Sequence, residues 1–173
     1  MSVRDPLALD ALAAALAGLG DLRRAEPLAR HTTFGIGGPA DLYLKITGRA
    51  ALAQAATRAR QAGVPLLVLG SGSNVLVGDA GVRGLVIENN AKQLNPPQAL
   101  ADGRVLLGGE SGASFAATAR RLCRDGYWGL EWAVGIPGTL GGAVVYNAGA
   151  YGGCLADALT TICLLYTSDA ADE

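Results

Sequence analysis

Metal-binding residues are scarce in this sequence. It has one histidine, His31, and three cysteines, no two of which form a Cys-x-x-Cys pair. A zinc site needs three or four such ligands, so no metal site is expected. An odd number of cysteines without a signal peptide indicates reduced thiols, and we therefore expect a cytoplasmic protein.

Long apolar runs and an excess of basic charge are also missing. Asp5, Asp10, Asp21 and the Arg23-Arg24 pair interrupt the apolar N-terminal stretches, so no span is long enough to cross a membrane. The net charge is −1, whereas a surface that follows nucleic-acid phosphates needs a clear excess of Lys and Arg. We therefore expect neither a membrane nor a nucleic-acid partner.

Apolar residues and glycine, in contrast, are abundant. Apolar residues make up 50% of the 173 positions and charged residues 17%, which is typical of a chain with a buried core. The 25 glycines exceed the roughly 7% of an average protein. They cluster at 70–72, 108–112, 135–142 and 149–153, which indicates backbone that turns sharply or approaches something closely.

Hydrophobic periodicity predicts helices and strands in alternation, which is typical of the α/β or α+β class. Helices are predicted at 6–19, 49–62 and 114–125, each with glycine at its end. Strands are predicted at 41–46, 65–69, 75–77, 84–88 and 104–107. The uninterrupted apolar run at 65–69 is typical of a buried strand.

The first candidate site is the loop that follows the strand predicted at 65–69. It reads Gly70-Ser71-Gly72-Ser73-Asn74-Val75. Glycines let successive N–H groups converge on an anion, and Ser and Asn add donors, so the loop predicts a pyrophosphate ligand. It is not a P-loop, because Gly-Lys-Ser/Thr is missing, nor a Rossmann fingerprint, because Val75 stands where Gly or Ala is required. An ordinary turn between two strands explains the loop equally well.

A second glycine-rich segment runs Gly135-Ile136-Pro137-Gly138-Thr139-Leu140-Gly141-Gly142-Ala143. Pro137 suits the first turn of a helix, and a helix that starts there would point N–H groups at a phosphate or at the edge of an aromatic ring. A tight contact between a helix and a sheet explains the same residues.

Two further segments carry polar residues among glycines. In the segment 146–153, Asn147 could hydrogen-bond a polar ring edge and Tyr151 could stack on one; the alternative is a glycine-rich turn with tyrosines in the core. In the segment 31–40, we interpret His31 as a surface or capping histidine, because the sequence shows no acidic partner for it.

Taken in this order, the segments resemble the UDP-N-acetylenolpyruvoylglucosamine reductase family. The segments that carry the resemblance are 33–40, 70–76, 129–131, 135–143 and 147–152, and the match covers about residues 30–160. The resemblance implies an α+β fold of the FAD-binding type found in p-cresol methylhydroxylase and vanillyl-alcohol oxidase. In that fold two subdomains clasp the flavin.

The resemblance also implies the residues that hold the cofactor. The FAD pyrophosphate would be wrapped by Gly70, Ser71, Gly72, Ser73, Asn74 and Val75. The flavin and ribityl region would be lined by Gly135, Ile136, Pro137, Gly138, Gly141, Gly142 and Ala143. The second subdomain would add Asn147, Gly149, Ala150, Tyr151 and Gly152.

The implied activity is the NADPH-dependent reduction of UDP-N-acetylglucosamine enolpyruvate to UDP-N-acetylmuramate through FAD, in peptidoglycan synthesis, by a monomer. In the family, the arginine that stabilises charge in the reaction follows a tyrosine, and this chain has no Tyr-Arg pair. The family's serine and glutamate belong to a later domain, so no catalytic residue is assigned. Position 35 is Gly, where many relatives carry Arg or Lys. Two alternatives stay open: another FAD-linked oxidoreductase of the same fold, or a non-catalytic FAD-binding fragment.

The predicted organisation has three parts. Residues 1–29 form an N-terminal helical segment, and residues 30–162 form a C-terminally truncated FAD-binding domain whose second α+β subdomain is incomplete. Residues 163–173 resemble translated sequencing-adapter read-through, which predicts a tail that is not native. A natural acidic terminus is the alternative.

Overall fold

A four-stranded sheet and two helices form the first half of the computed structural model, which describes residues 6–164. Strand order in the sheet is β1-β2-β4-β3; β1 is antiparallel to β2, while β2, β4 and β3 are parallel. We call residues 6–89 the first subdomain. Its elements are α1 (Pro6–Leu16), β1 (Asp21–Pro27), β2 (Pro39–Ile46), α2 (Arg49–Gln61), β3 (Leu66–Leu69) and β4 (Val82–Asn89).

The two central strands bury apolar side chains on both faces of the sheet. Side chains alternate along a strand, so Leu44 and Ile87 face α1 and α2 in one core, whereas Tyr43 and Val86 lie in a second core with Leu28. All five are at most 1% exposed. The sheet is therefore covered on both sides, which is usual for parallel strands.

The prediction that the strand at 65–69 is buried is wrong. Leu66, Leu67 and Val68 are 38%, 37% and 48% exposed. The strand exists, but β3 is the last strand of the sheet and pairs only with β4. An apolar run predicts a strand without fixing its place in the sheet.

Two other segments differ from their prediction. The segment 1–29 was predicted to be helical, but its helix ends at Leu16 and Asp21–Pro27 pairs with β2 as an edge strand. The segment 75–77 is not a strand; it is irregular chain that places Val77 in the core beside Leu28. The predicted domain limits themselves stay predictions, and positions 165–173 of the predicted tail lie outside the described residues.

Short elements and connecting loops form residues 90–164, which we call the second subdomain. The elements are β5 (Gln98–Ala99), β6 (Val105–Leu106), α3 (Phe115–Arg124), α4 (Leu140–Val145), β7 (Gly149–Ala150), β8 (Gly153–Cys154) and α5 (Leu155–Ala158). Its core is built around Phe115, whose ring meets Trp132 edge to face at 5.7 Å.

Helix α3 follows its sequence signals closely. The Ser114 hydroxyl accepts the N–H of Ala117 at 3.3 Å as an N-cap, and Gly126 ends the helix with φ +85°. Together the two subdomains confirm the predicted mixed α+β class. In the described part of the chain, no helix combines the length and the apolar character that a membrane span requires.

Candidate functional site

A cavity of about 410 Å³ lies where the three parallel strands end. Lys45 stands near the end of β2, Ser71 follows β3, and Glu88 and Asn89 close β4; all four line the cavity. The carboxyl ends of parallel strands meet at one edge of a sheet, and ligands of open sheets bind in the crevice outside that edge. The fold therefore places the first predicted segment in the position expected of a binding loop.

Loop 70–74 leaves its backbone donors open. Within residues 6–164, the N–H groups of Ser71, Gly72, Ser73 and Asn74 have no protein acceptor. Gly70 and Ser71 line the cavity, so this run of open amides starts at its wall and offers the kind of donors that an anion requires. Segment 31–33 supports the loop, because the Gly72 carbonyl accepts the Thr33 N–H at 3.0 Å.

Gly72 cannot be replaced without moving the backbone. Its φ is +63°, and a Cβ there would stand 2.0 Å from the carbonyl oxygen of His31 and 2.9 Å from the Cα of Thr32. The glycine therefore lets segment 31–33 lie directly against the loop.

The second predicted segment packs directly against loop 70–74. A Cβ on Gly70 would meet the Thr139 hydroxyl oxygen at 2.6 Å, and one on Gly138 would meet the Ser73 hydroxyl oxygen at 3.4 Å. Thr139 also lines the cavity. The structure thus brings together loop 70–74 and the segment around 138–139.

The start of α4 does not offer its N–H groups to a ligand. The helix begins at Leu140, three residues after Pro137, so the predicted start at Pro137 is wrong. The N–H of Leu140 donates to Ala113 at 2.8 Å and that of Gly141 to Ser111 at 2.8 Å. The remaining first-turn donors are also used, because Gly142 donates to the Thr139 hydroxyl and Ala143 to the Thr139 carbonyl. A role for Gly141, Gly142 and Ala143 in lining the flavin stays a prediction. Because their N–H groups are already used, that role would depend on how closely the flavin approaches these small residues.

Segment 147–152 is tied to its own subdomain. The Asn147 side-chain oxygen accepts the Ala156 N–H at 2.9 Å, and a Cβ on Gly153 would meet the Trp132 ring at 2.6 Å. Tyr146 and Tyr151 are 72% and 96% exposed, so the alternative with core tyrosines is wrong. The predicted stacking of Tyr151 and the predicted contacts of Gly149, Ala150 and Gly152 stay predictions.

The interpretation of His31 as a surface histidine without an acidic partner is wrong. Its side chain is 12% exposed and lies between two carboxylates. The Nδ1 atom is 2.8 Å from Glu88 and the Nε2 atom is 3.0 Å from Glu26. The Tyr43 ring lies beneath the imidazole with centroids 4.3 Å apart.

Glu88 is the most heavily hydrogen-bonded member of this cluster. The Tyr43 hydroxyl donates to it at 2.5 Å, Asn90 at 2.7 Å and Lys45 at 3.3 Å. Burial alone would raise the pKa of Glu88, but the hydrogen bonds from Tyr43, Asn90, His31 and Lys45 outweigh it and lower the pKa from 4.5 to about 2. Burial and the bond to Glu88 raise the pKa of Tyr43. Glu88 is therefore a carboxylate at neutral pH.

Sequence reasoning missed this cluster, although one signal was present. Glu88 closes the apolar run of β4 and lies opposite Lys45 in the sheet register. A charged residue at the carboxyl end of a buried parallel strand points toward the ligand edge of the sheet. For His31 a local signal was also overlooked, because its partner Glu26 is five positions away, whereas its other partner, Glu88, is 57 positions away.

Comparison with known proteins gives one family and a set of close relatives. The model of the family described as "FAD binding domain" matches residues 40–167. Two curated relatives, both named UDP-N-acetylenolpyruvoylglucosamine reductase, come from Synechococcus sp. (strain JA-3-3Ab) and Heliobacterium modesticaldum. They are 43% identical over 146 residues and 46% identical over 136 residues.

These matches cover most of this chain but less than half of the relatives. The two alignments span 84% and 79% of this chain and 46% and 42% of the relatives. The crystal structure of UDP-N-acetylenolpyruvylglucosamine reductase from Thermus caldophilus superposes with a TM-score of 0.57 at 32% identity, and covers 79% of this chain and 47% of that one. The chain thus spans about half the length of the proteins it matches. The comparisons confirm the resemblance and the fold inferred from the sequence.

Proposed function

Because this chain belongs to the FAD-binding domain family, we propose that it is the cofactor-binding part of a UDP-N-acetylenolpyruvoylglucosamine reductase. The whole protein would reduce UDP-N-acetylglucosamine enolpyruvate to UDP-N-acetylmuramate with NADPH. One observation carries the cofactor assignment: four successive N–H groups, from Ser71 to Asn74, have no acceptor within the described chain, and their loop reaches the cavity at the sheet edge through Gly70 and Ser71.

The donor set of this edge fits the diphosphate of FAD. The N–H groups of loop 70–74 would hold the phosphate oxygens, with the Ser71 and Ser73 hydroxyls 3.4 Å apart beside them. Arg30, Lys45 and Lys92 line the same cavity and add positive charge. The three cations outnumber the carboxylate of Glu88 in the same lining, and neutral donors together with net positive charge are a suitable environment for a bound diphosphate.

The second subdomain would lie along the flavin. Glycines at 135, 138 and 142 would allow close approach of a flat ring, whereas Gly141 packs against Ser111, and Tyr151 is exposed and free to stack on the ring. FAD, when bound, supplies the hydride chemistry between NADPH and the enolpyruvyl group. The residues of this chain bind and orient the cofactor, and we assign none of them to the transfer of a proton to the substrate.

The biological setting follows from the proposed reaction. Its product is a peptidoglycan precursor, so the protein would act in cell-wall synthesis and, through it, in cell shape and division. The substrate is a nucleotide sugar and the reductant is NADPH, both of which are cytoplasmic. We propose a cytoplasmic monomer for the full-length protein.

Another FAD-linked oxidoreductase of the same fold is the second candidate. Oxidases of this kind often attach flavin covalently through His or Cys. The only histidine, His31, has both ring nitrogens hydrogen-bonded to carboxylates, which argues against such a bond. Precipitation with trichloroacetic acid separates the candidates: we expect yellow flavin in the supernatant, and flavin retained in the pellet would favour the oxidase.

The decisive experiment compares this chain with the complete gene product. We expect the 173-residue chain to bind FAD in a fluorescence titration but to show no NADPH oxidation that depends on UDP-N-acetylglucosamine enolpyruvate. The complete product should show both. Substrate-dependent oxidation by the 173-residue chain would contradict the assignment of catalysis to residues outside it. Failure of both forms to bind FAD at micromolar concentration would contradict the cofactor assignment.

A further inference from the structure

The cluster around His31 connects the sheet to the backbone that supports loop 70–74. The His31 side chain is held by Glu26 of β1 and Glu88 of β4. Its carbonyl oxygen lies against Gly72, and two residues later the Thr33 N–H donates to the Gly72 carbonyl at 3.0 Å. A side chain anchored in the sheet is therefore only a few bonds from the loop with the open amides.

Oxygen atoms surround both ring nitrogens of His31. The Nδ1 atom lies 2.8 Å from Glu88 and 3.1 Å from the Tyr43 hydroxyl. The Nε2 atom lies 3.0 Å from Glu26. The imidazole therefore bridges a carboxylate of β1 and a carboxylate of β4.

The carboxylates that hold His31 have other partners from every neighbouring element. Arg23 of β1 reaches Glu26 at 3.2 Å, and Arg30 reaches it at 3.7 Å. Lys45 of β2 reaches Glu88 at 3.3 Å. Removing His31 therefore does not leave either carboxylate without a partner, and a variant can keep the fold.

We propose that His31 is a positioning residue for the cofactor loop: as a bridge between Glu26 and Glu88 it holds segment 31–33 in place and, through Thr33 and Gly72, sets loop 70–74 in the conformation that leaves its amides open. This role rests on the proposed function insofar as the open amides bind the phosphates of FAD. Its physical basis is the charge-assisted bonding of one side chain to two strands.

The first test measures FAD affinity in the 173-residue chain with His31→Phe and His31→Gln. Phe keeps a ring over Tyr43 but loses both donors, so we expect affinity to fall about 10-fold or more. Gln supplies one donor and should lie between Phe and the unmodified chain. Tyr43→Phe is the matched control, because it disturbs the same cluster while leaving both His31 bonds in place.

Partial rescue by Gln separates positioning from a general loss of structure. The His31→Phe and His31→Gln variants should have similar midpoints in urea denaturation, whereas FAD affinity should be higher in His31→Gln. Equal FAD affinity in His31→Phe and the unmodified chain would overturn the proposal.

A second readout does not depend on FAD. The amide hydrogen of Thr33 should exchange with solvent faster in His31→Phe, whereas amides in α2, such as that of Ala56, should exchange as in the unmodified chain. If the unmodified chain failed to bind FAD, the proposed function would be wrong, but this exchange measurement would still decide the role of His31. Unchanged protection of Thr33 in His31→Phe would refute that role.

Discussion

Loop 70–74 and the start of α4 are both glycine-rich and lie against each other beside the cavity, but they differ in their backbone donors. The loop has four N–H groups without a protein acceptor in the described chain, from Ser71 to Asn74, whereas Leu140, Gly141 and Gly142 all donate to protein oxygens. Glycine content therefore does not distinguish a site that binds an anion from one that packs closely. What distinguishes them is whether the backbone donors are already used.

Of the substitutions that test this comparison, Gly72→Ala should have the largest effect on stability and on FAD affinity. The new Cβ would meet the His31 carbonyl at 2.0 Å and sit at φ +63°. We expect about 2–4 kcal/mol of lost unfolding free energy and at least a 100-fold loss of FAD affinity, measured by urea denaturation and flavin titration.

Gly126→Ala is the control for backbone conformation alone. Its φ is +85°, but a Cβ there has nothing within 4 Å, so we expect a cost of only about 1 kcal/mol and unchanged FAD affinity. If Gly72→Ala behaved like Gly126→Ala, the close approach of segment 31–33 to the loop would not matter for binding.

Sequence reasoning succeeded where the cause of a feature lies close to it in the chain. Helix α3 was predicted within one residue at each end, because its N-cap Ser114 and its terminal Gly126 are neighbours of the helix in the chain. The prediction of an anion site at loop 70–74 used a similar local signal, small residues directly after an apolar strand, and it stays a prediction. The N–H groups of this loop could be expected to lack a protein acceptor, since no neighbouring residue in the chain supplies one.

The errors concern features that depend on residues far along the chain. Strand β3 looked buried because its residues are apolar, but its edge position is set by the order of all four strands. The helix-start donors of α4 looked free, but Ala113 and Ser111 take them. His31 was interpreted as unpartnered although Glu26 is only five positions away; its other partner, Glu88, approaches only after the sheet has formed.

Lowering the pH should weaken the contacts that support loop 70–74 before it weakens those at the start of α4. The bond from His31 is the main cause that lowers the pKa of Glu26, and hydrogen bonds lower that of Glu88 to about 2. A carboxylate with a depressed folded-state pKa stabilises the fold above its unfolded pKa, near 4.5 for Glu88, and loses that contribution as pH falls toward 2. We expect about 2 kcal/mol of unfolding free energy to be lost between pH 5 and pH 2.5.

Urea denaturation at a series of pH values measures this loss. Glu88→Gln should be less stable at pH 6 and show a flatter dependence on pH, because it removes the group that titrates. The bonds at the start of α4 are between neutral groups, so the amide exchange of Gly141 should not change over the same range beyond the intrinsic effect of pH. A pH dependence that survived intact in Glu88→Gln would place the titrating group elsewhere.

Thr139→Val should have the smallest effect and reports on the α4 side of the comparison. Val keeps the shape that lies against Gly70 but removes the hydroxyl that accepts the Gly142 N–H at 3.3 Å. Loss of an N-cap acceptor should cost about 1 kcal/mol of unfolding free energy and lower FAD affinity less than about 3-fold, and Thr139→Ser should restore the stability. A larger loss of FAD affinity in Thr139→Val than in His31→Phe, with the fold intact, would mean that the hydroxyl contacts the cofactor directly, and the two glycine-rich segments would then share the task of binding it.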